Sequence, residues 1–558
     1  MIVCVNITTK IKTTRTLIIA YIAEKGKASV RAIAGVLNIP KSMIHNHLSY
    51  IKKRRKHPES HLWDTPEGDA WLRLFFLSTL YTFGLGCNIG ADRISRYFKQ
   101  LGIDTYIGVS PDSLRKRLRE METVLAEYQE LSEAQAVHKK KPLHITAAAD
   151  ETFFGDLLML VMMDLSSGYL LLEDIADDRT FDTWFEKAKA RLEGTNIEVD
   201  HLITDRAKAL IKLATSGVKC ESGSDLFHPL QSLSRGLGQS LKKRYSSVSS
   251  ALKKSWKDRD TLVLQEEISE ATEITLVQEK ETELDLKVSE INVLSKEADR
   301  LKEDSKIYNQ TIKNISEDVH AFNIETHQQQ GSQDVENKLE VHAETLESIE
   351  NYHFPERKKK AVPSFRKQNK ALASCVDVWW YFVLSHLLEF NLSSYEEDWL
   401  LHALLPAVYW HKQMMKTKEP KRRERYEVAW KSALSLWEKH PLTIRMSGED
   451  KGDWQDWALC MVDNFHRSSS AVEGRNGTLS QMYHTRRGLT PSRLKALTVI
   501  FNYDHYRPDG KTPAEKLFNT SFPNVLEWVN EQMGELPLPR KGKKRKFNKP
   551  LNLWSVPA

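Results

Sequence analysis

The chain has 558 residues, too many for one hydrophobic core, so several domains are expected. Hydrophobic residues make up 41% and charged residues 28% of it, no apolar run approaches the roughly 18 to 20 residues of a membrane helix, and the first ten residues lack the apolar core of a secretory signal. We therefore expect a cytosolic protein that makes no contact with membranes.

The net charge of +6 hides an uneven distribution of charge. Residues 261–350 hold 22 acidic and 8 basic residues, so the rest of the chain carries a net charge of +20. A surplus of Lys and Arg binds polyanions by releasing counterions, which makes DNA or RNA the leading partner. Charge that only keeps a large protein soluble is the alternative. The five cysteines include no CxxC pair, which indicates neither a disulfide framework nor a zinc site.

Residues 1–60 are predicted to form a helix-turn-helix domain. The segments TRTLIIAYIAEKG and SVRAIAGVLN have apolar residues at helical spacing, and Pro40 suits the first position of a third helix. This third helix would turn polar residues toward a DNA major groove, with a basic end that holds phosphates: Lys41, Ser42, His45, Asn46, Ser49, Lys52, Lys53 and Arg54. A three-helix bundle with a structural role is the alternative.

A second helical domain is predicted over residues 61–138. The run AWLRLFFLSTLYTFGLG is strongly apolar and should be buried, whereas ADRISRYFKQLGI and SPDSLRKRLREMETVLAEYQEL have the spacing of two further helices. The bases in these two helices favour a second DNA-binding unit and a helical linker equally.

Residues 139–234 change to strand-like sequence. The runs LHITAAAD, LLMLVMMDL and YLLLEDIA are short and apolar, and an amphipathic helix over TFDTWFEKAKARLEG separates them from the strand HLITD. The first and last of these strands each end in an acid, Asp150 and Asp205. Oxygen ligands are those that Mg²⁺ prefers, so both residues are candidate metal ligands. A turn-forming Asp is the alternative for either residue.

A helical insertion is predicted over residues 235–452. Just before this insertion, Asp225 and His228 stand three residues apart. Within the insertion, Arg244 belongs to a basic stretch suited to phosphate contacts. Residues 262–322 carry a heptad register that predicts a coiled-coil arm or helical hairpin, with an ordinary surface helix as the alternative. Residues 371–440 have tryptophans throughout helical sequence, which predicts a compact helical subdomain.

A third candidate acid lies in residues 453–520, within the stretch SSSAVEGRNGTLSQ. Helical spacing places Glu473 and Asn476 on one face, three residues apart. Arg475, Arg486 and Arg487 supply positive charge nearby for a DNA contact. Residues 521–558 contain RKGKKRKFNK, which predicts a basic tail that tethers DNA without sequence preference.

The sequence around the three acids, and above all SSSAVEGRNGTLSQ followed by RRGLTPSRLKAL, resembles the DDE transposases of bacterial insertion sequences. This resemblance implies a multidomain α/β protein. Its RNase H-like mixed sheet would be interrupted by a large all-α, partly coiled-coil insertion and preceded by the all-α helix-turn-helix region. Asp150, Asp205 and Glu473 would be the catalytic residues and would hold two Mg²⁺ ions, for which Mn²⁺ would substitute.

The same resemblance implies roles for other residues and for the whole chain. His228 and Asn476 would lie beside the metal ligands, with His228 near the scissile phosphate. The protein would bind the terminal inverted repeats, cut the ends and join their 3′-hydroxyls to target DNA, as a nucleoid-associated homodimer or larger homo-oligomer. A helix-turn-helix regulator with idle acids, a decayed transposase that binds without cutting, and a related nuclease or integrase are the alternatives.

Overall fold

The computed structural model describes residues 7–54, 65–137, 142–271, 277–355, 359–484 and 488–539. The described chain is mostly helical and contains one five-stranded mixed sheet, which agrees with the expected multidomain α/β class. It divides into two compact units: one comprises Met1–Glu133, Met482–Thr512 and Thr520–Ala558, and the other comprises Ala134–Gln481 and Pro513–Asn519. None of the described helices is both long enough and apolar enough to cross a membrane.

The first unit begins with three short-looped helices, α1 (Ile7–Lys25), α2 (Val30–Leu37) and α3 (Lys41–Arg54). Ser29 caps α2 by accepting a hydrogen bond from the amide of Ala32, and Asn38 ends it in the left-handed conformation with φ 51°. The three helices close over a small apolar core made of Ile18, Ile33, Ala34, Ile44 and Ile51.

Three further helices follow in the same part of the chain: α4 (Pro66–Thr79), α5 (Ala91–Gln100) and α6 (Pro111–Val137), with π-helical turns over Leu80–Gly86. Thr65 caps α4 and Pro66 occupies its first turn, where a missing amide hydrogen costs nothing. Phe76, Leu80, Phe98 and Leu114 are fully buried between these helices.

The second unit is built on the sheet, whose strands are β1 (Leu143–Phe154), β2 (Leu157–Asp164), β3 (Leu170–Ala176), β4 (Ile197–Thr204) and β5 (Glu221–Ser224). Their order is β3-β2-β1-β4-β5. Strands β1, β2 and β3 form an antiparallel meander, whereas β4 pairs with β1, and β5 with β4, in parallel. Helix α7 (Phe181–Glu193) makes the crossover from β3 to β4.

The long α10 and α11 form the first part of the insertion. After β4 come α8 (Lys208–Lys212), α9 (Phe227–Leu233), α10 (Gln239–Ala271) and α11 (Val277–Asp318). Helices α10 and α11 run antiparallel along each other, because Arg244 pairs with Glu297 and Ser255 bonds to Glu290. Ile291, Leu301 and Ile315 of the predicted heptad seam are buried.

The second part of the insertion is a helical subdomain with an aromatic core. It contains α12 (Ser332–His353), α13 (Ala361–Arg366), α14 (Asn369–Leu387), α15 (Ser394–Trp399), α16 (Leu405–Lys416), α17 (Pro420–Lys439), α18 (Pro441–Arg445) and α19 (Gly448–Asp463). Trp379, Trp399 and Trp410 are buried in one apolar cluster, as expected for aromatics at helical spacing. Leu233, Leu237 and Leu241 next to the sheet belong to the same cluster.

The last helices are α20 (Ser470–Met482), α21 (Pro491–Tyr503), α22 (Pro513–Phe518) and α23 (Val525–Gln532). Helix α20 and α22 belong to the second unit, where Phe518 packs edge-to-face on Tyr169 of the sheet. Helices α21 and α23 belong to the first unit. There Arg493 of α21 pairs with Glu122 of α6 at 3.0 Å, in a largely buried position.

Candidate metal centre

Asp150 lies inside β1 and not at its end. The run ETFF after it continues the antiparallel pairing with β2 as far as Phe154, so the prediction that the strand closes at Asp150 was wrong. The cause is that Phe153 and Phe154 extend the apolar pattern beyond the acid. The side chain of Asp150 is buried in the sheet and only 7% of the residue is exposed.

Asp205 follows β4 directly and is exposed. Ala148 of β1 is paired with Ile203 of β4, so Asp150 and Asp205 each stand two residues further along two neighbouring parallel strands. One oxygen of Asp205 accepts a hydrogen bond from the amide of Ala207 at 2.9 Å. The two acids therefore stand at the same level of neighbouring strands, although only Asp205 follows the end of its strand.

Helix α20 brings Glu473 and Asn476 to Asp150. The side-chain amide of Asn476 donates a hydrogen bond to Oδ2 of Asp150 at 3.0 Å. Glu473 stands in the first turn of α20, with 38% of its side chain exposed. The three-residue spacing of Glu473 and Asn476 thus places both on the side of the helix that faces β1.

His228 of α9 completes a cluster of possible ligands. Its Nε2 lies 3.7 Å from Oε1 of Glu473 and 3.6 Å from Oδ2 of Asp225. One ligand atom from each of Asp150, His228 and Glu473 lies within 4.8 Å of the other two. Among the described residues, Asp205 is not part of this group. His228 lies at the distance of a direct metal ligand, whereas the sequence analysis expected it beside the ligands.

Negatively charged side chains are close together around Asp150. Burial and the neighbouring Glu473 carboxylate raise the pKa of Asp150 to about 6, and Asp205 adds a smaller increase in the same direction. A hydrogen bond to the Glu151 amide and the proximity of His228 lower the pKa of Asp150 in part. A divalent cation would relieve the repulsion between these carboxylates, so charge and donor set fit such an ion.

Several buried polar atoms at the centre have no hydrogen-bond partner among the described residues. They are Oδ2 of Asp225, Nε2 of His228 and Oδ1 of Asn476. Asp225 itself is fully buried, and its other oxygen accepts hydrogen bonds from the amides of Phe227 and Ser469 at 3.1 and 3.0 Å. Burying a carboxylate oxygen without a hydrogen bond is costly, which fits a site that receives a cation or a polar substrate group.

Arg475 does not lie where a DNA contact requires it. Its guanidinium makes two 2.7 Å hydrogen bonds to the carboxylate of Glu173 in β3, with side-chain exposures of 5% and 0%. The prediction of a DNA contact is therefore corrected: a cation buried against a sheet carboxylate is not available to phosphates. Glu173 was missed by sequence reasoning, and its signal was an acid inside the apolar run YLLLEDIA.

The other predicted DNA contacts fall into three groups. Those of α3 with described side chains are exposed, on the face opposite the apolar core: Lys41, Ser42, His45, Asn46, Ser49 and Lys52. Arg244 pairs with Glu297 at 2.7 Å and donates to the carbonyl of His353, so it ties α10 to α11 and α12. The side chains of Lys53 and Arg54, together with Arg486 and Arg487, lie outside the described residues.

Comparison with known families gives one match. Residues 400–545 match DUF6399, a family of unknown function. No curated protein matches the chain. The DUF6399 segment includes α20 with Glu473, Arg475 and Asn476 but neither Asp150 nor His228. The candidate metal centre thus combines Glu473 of the DUF6399 segment with Asp150 and His228, which precede that segment.

Proposed function

We propose that this chain is a divalent-metal-dependent DNA transposase of the DDE class, with an RNase H-like catalytic domain. The observation that carries this proposal is the convergence of Asp150, His228 and Glu473 from β1, α9 and α20, which are more than 200 residues apart at the extremes. The strand order β3-β2-β1-β4-β5, with an antiparallel meander followed by two parallel strands, supports an RNase H-like sheet.

Asp150, Asp205 and Glu473 are the proposed catalytic acids. Asp150 is buried in the sheet, and one of its oxygens lies within 4.8 Å of ligand atoms of both His228 and Glu473. Asp205 stands at the end of the neighbouring strand β4, and Glu473 is carried by α20. Bound Mg²⁺ or Mn²⁺ ions would activate a water or a 3′-hydroxyl and stabilise the leaving oxygen of a phosphodiester.

Asn476 and His228 act on the ligands and on the substrate. The side-chain amide of Asn476 donates to one oxygen of Asp150 and so holds this carboxylate in place. His228 presents its buried Nε2 toward Glu473, where it can hold a ligand oxygen or a phosphate oxygen. Such positioning in a dry site contributes much of the rate in phosphoryl transfer.

The exposed polar face of α3 supports recognition of the transposon ends. A helix-turn-helix unit inserts its second helix into the major groove and reads base edges with outward side chains. His45, Asn46 and Ser49 hold that position on α3. Since two ends must be held together, the active form is expected to be a homodimer or larger assembly.

A plasmid that carries the DNA flanking the gene tests this function. The wild type should nick it in Mg²⁺ or Mn²⁺ and not in EDTA. Asp150→Asn, Asp205→Asn and Glu473→Gln should each reduce nicking by roughly a hundredfold or more while DNA binding persists. Asp200→Asn is the matched control, because Asp200 lies on the same strand β4 and bonds to His144.

The outcomes separate the alternatives. Binding without cutting by the wild type in either metal would indicate a regulator or a decayed transposase. Cutting without joining of 3′-hydroxyls would indicate a nuclease. Cutting that survives Asp150→Asn would exclude this centre as the active site.

A further inference from the structure

The first 19 residues of α10 carry an unusual concentration of positive charge. Residues 239–257 contain six bases and no acid, whereas residues 258–271 of the same helix contain five acids and one base. A single continuous helix therefore changes sign at Asp258. Helix α10 begins one π-helical turn after α9, the helix that carries His228.

The lysines of this segment share one face. At 3.6 residues per turn they fall within about 120° of the helix circumference. The face comprises Lys242, Lys243, Lys253, Lys254 and Lys257, all exposed. We call these five residues the lysine face. Ser246 and Ser250 lie between them, and their short side chains leave the face open to close approach.

The opposite side of α10 is the one that packs. Leu241 is 1% exposed and Ser255 is 3% exposed. Arg244 and Ser255 bond to Glu297 and Glu290 of α11, so the acids of α11 that face α10 already have partners. These acids of α11 therefore do not neutralise the positive charge of the lysine face.

The lysines themselves are mostly unpaired. Within the described part of the chain, Lys242, Lys243, Lys253 and Lys257 take part in no ion pair. Lys254 has an electrostatic effect on Glu290 of α11. Like charges on one helix face repel one another, and a polyanion that covers them would relieve this repulsion.

We propose that the lysine face binds the phosphate backbone of duplex DNA that extends from the metal centre. From Lys242 to Lys257 the helix rises about 22 Å at 1.5 Å per residue, which corresponds to about six base pairs at 3.4 Å each. The contact is independent of base sequence, because lysine ammonium groups on phosphates carry no base readout. The proposal rests on the proposed function, because that function supplies the DNA that the lysine face would bind. The antiparallel helices α10 and α11 are called the arm below.

The test measures the salt dependence of DNA binding by the full chain. A fluorescent 30-base-pair duplex of arbitrary sequence is titrated at a series of NaCl concentrations, with anisotropy as the readout. The arm variant carries four changes: Lys242→Gln, Lys243→Gln, Lys253→Gln and Lys257→Gln. The control variant removes the same charge from α11 of the same arm: Lys296→Gln, Lys302→Gln, Lys306→Gln and Lys313→Gln.

Four lost phosphate contacts should flatten the slope of log K against log[NaCl] by about 3 to 4 and weaken binding by about tenfold or more at low salt. The control variant should keep the wild-type slope. Circular dichroism and the melting temperature show whether both variants fold. An arm variant with the wild-type slope, or a control variant with an equal loss, overturns the proposal.

The rival occupant is the acidic part of the arm in a second copy of this chain. If that were the partner, the arm variant would change the mass measured by light scattering and leave the salt slope unaltered, which also overturns the proposal. The result is independent of catalysis. If the wild type never cuts DNA, the proposed function is wrong. A flattened salt slope in the arm variant would still support DNA binding by the lysine face.

Discussion

Asp150 is held in a position that disfavours its charged form. Burial and the Glu473 carboxylate favour its protonated form, which raises its pKa in the folded protein to about 6. The unfolded chain has the ordinary value of about 4. The folded protein therefore binds this proton more tightly, so the contribution of Asp150 to stability is greatest below about pH 4 and is lost as the pH rises through about 6.

Asp150→Asn should accordingly stabilise the metal-free protein at neutral pH. In EDTA at pH 7 we expect a higher melting temperature for the variant, with a free-energy difference of at most about 3 kcal/mol. The difference should shrink toward zero as the pH falls to about 4. Adding Mn²⁺ should reverse the order, because the ion binds the folded wild type and stabilises it. Equal melting temperatures at pH 7 in EDTA would mean that Asp150 is not destabilised by its neighbours.

His228 is expected to contribute to metal affinity. Its Nε2 lies within 4.8 Å of ligand atoms of Asp150 and Glu473. We expect His228→Ala to weaken Mn²⁺ binding by roughly 10- to 100-fold, as measured by electron paramagnetic resonance of free Mn²⁺. His144→Ala is the control, because His144 is exposed and bonds to Asp200. Unchanged Mn²⁺ affinity in His228→Ala would restrict this histidine to the substrate.

The positions of individual residues were predictable where the neighbouring sequence indicated them. Glu473 and Asn476 could be placed on one helix face because three residues make nearly one turn. The true partner of Arg475 could not be predicted, because Glu173 lies about 300 residues earlier and no local rule links them. Asp225 and His228 were noticed as a pair, but only the fold shows that the histidine faces Glu473.

At the scale of elements, a row of side chains across the sheet positions α20. Asp150 pairs with Val161 and Val161 pairs with Glu173, so these three residues of β1, β2 and β3 share one face. Asn476 bonds to the first of them and Arg475 to the last. Helix α20 is therefore attached at two points of the same row, which fixes the direction of Glu473.

Breaking the Glu173–Arg475 pair should weaken both the fold and the metal centre. Arg475→Met leaves a buried carboxylate without a partner, which costs about 3 to 5 kcal/mol by denaturant unfolding. The double variant Glu173→Leu with Arg475→Met should recover most of that stability, yet Mn²⁺ affinity should stay below the wild-type value because α20 has lost its directional attachment. Recovery of both quantities would show that the pair has no positioning role. Lys189→Met, which removes an exposed pair with Glu193, should cost less than about 1 kcal/mol.

Elements with strong periodicity were predictable, and their ends were not. The heptads indicated long helices, and the apolar runs indicated β1 to β4. The end of β1 was misplaced because an acid inside a strand looks like a terminator when pairing with β2 is unknown. Only the fold shows α10 and α11 as antiparallel neighbours, because their contacts join residues 35 to 53 positions apart.

At the scale of the whole molecule, the first compact unit is discontinuous in sequence. Its N-terminal helices are joined by residues that follow α20 in the sequence, namely Met482–Thr512 and Thr520–Ala558. The sequence predicted separate N-terminal domains and a detached tail, because nothing in local composition shows that residues some 400 positions apart pack together.

The contacts of residues 520–539 give that discontinuity a testable consequence. The guanidinium of Arg73 in α4 donates hydrogen bonds to the carbonyl of Asn530 at 2.6 Å and to that of Gly534 at 3.1 Å. The hydroxyl of Tyr128 in α6 donates to the carbonyl of Pro523 at 2.6 Å. Trp528 packs edge-to-face on Tyr128, whose side chain is buried.

Deleting residues 520–558 should therefore destabilise the first unit alone. It strips Arg73 of its acceptors and exposes Tyr128, so the calorimetric transition of the first unit should fall by several degrees, since each lost kcal/mol shifts melting by about 2 to 8 °C. The transition of the second unit should not move, because Phe518 and its contact with Tyr169 remain. Deleting only residues 540–558 keeps the contacts of Arg73 and Tyr128 and should leave both transitions unchanged. A first unit that melts normally after the longer deletion would show that its N-terminal helices fold without the C-terminal ones.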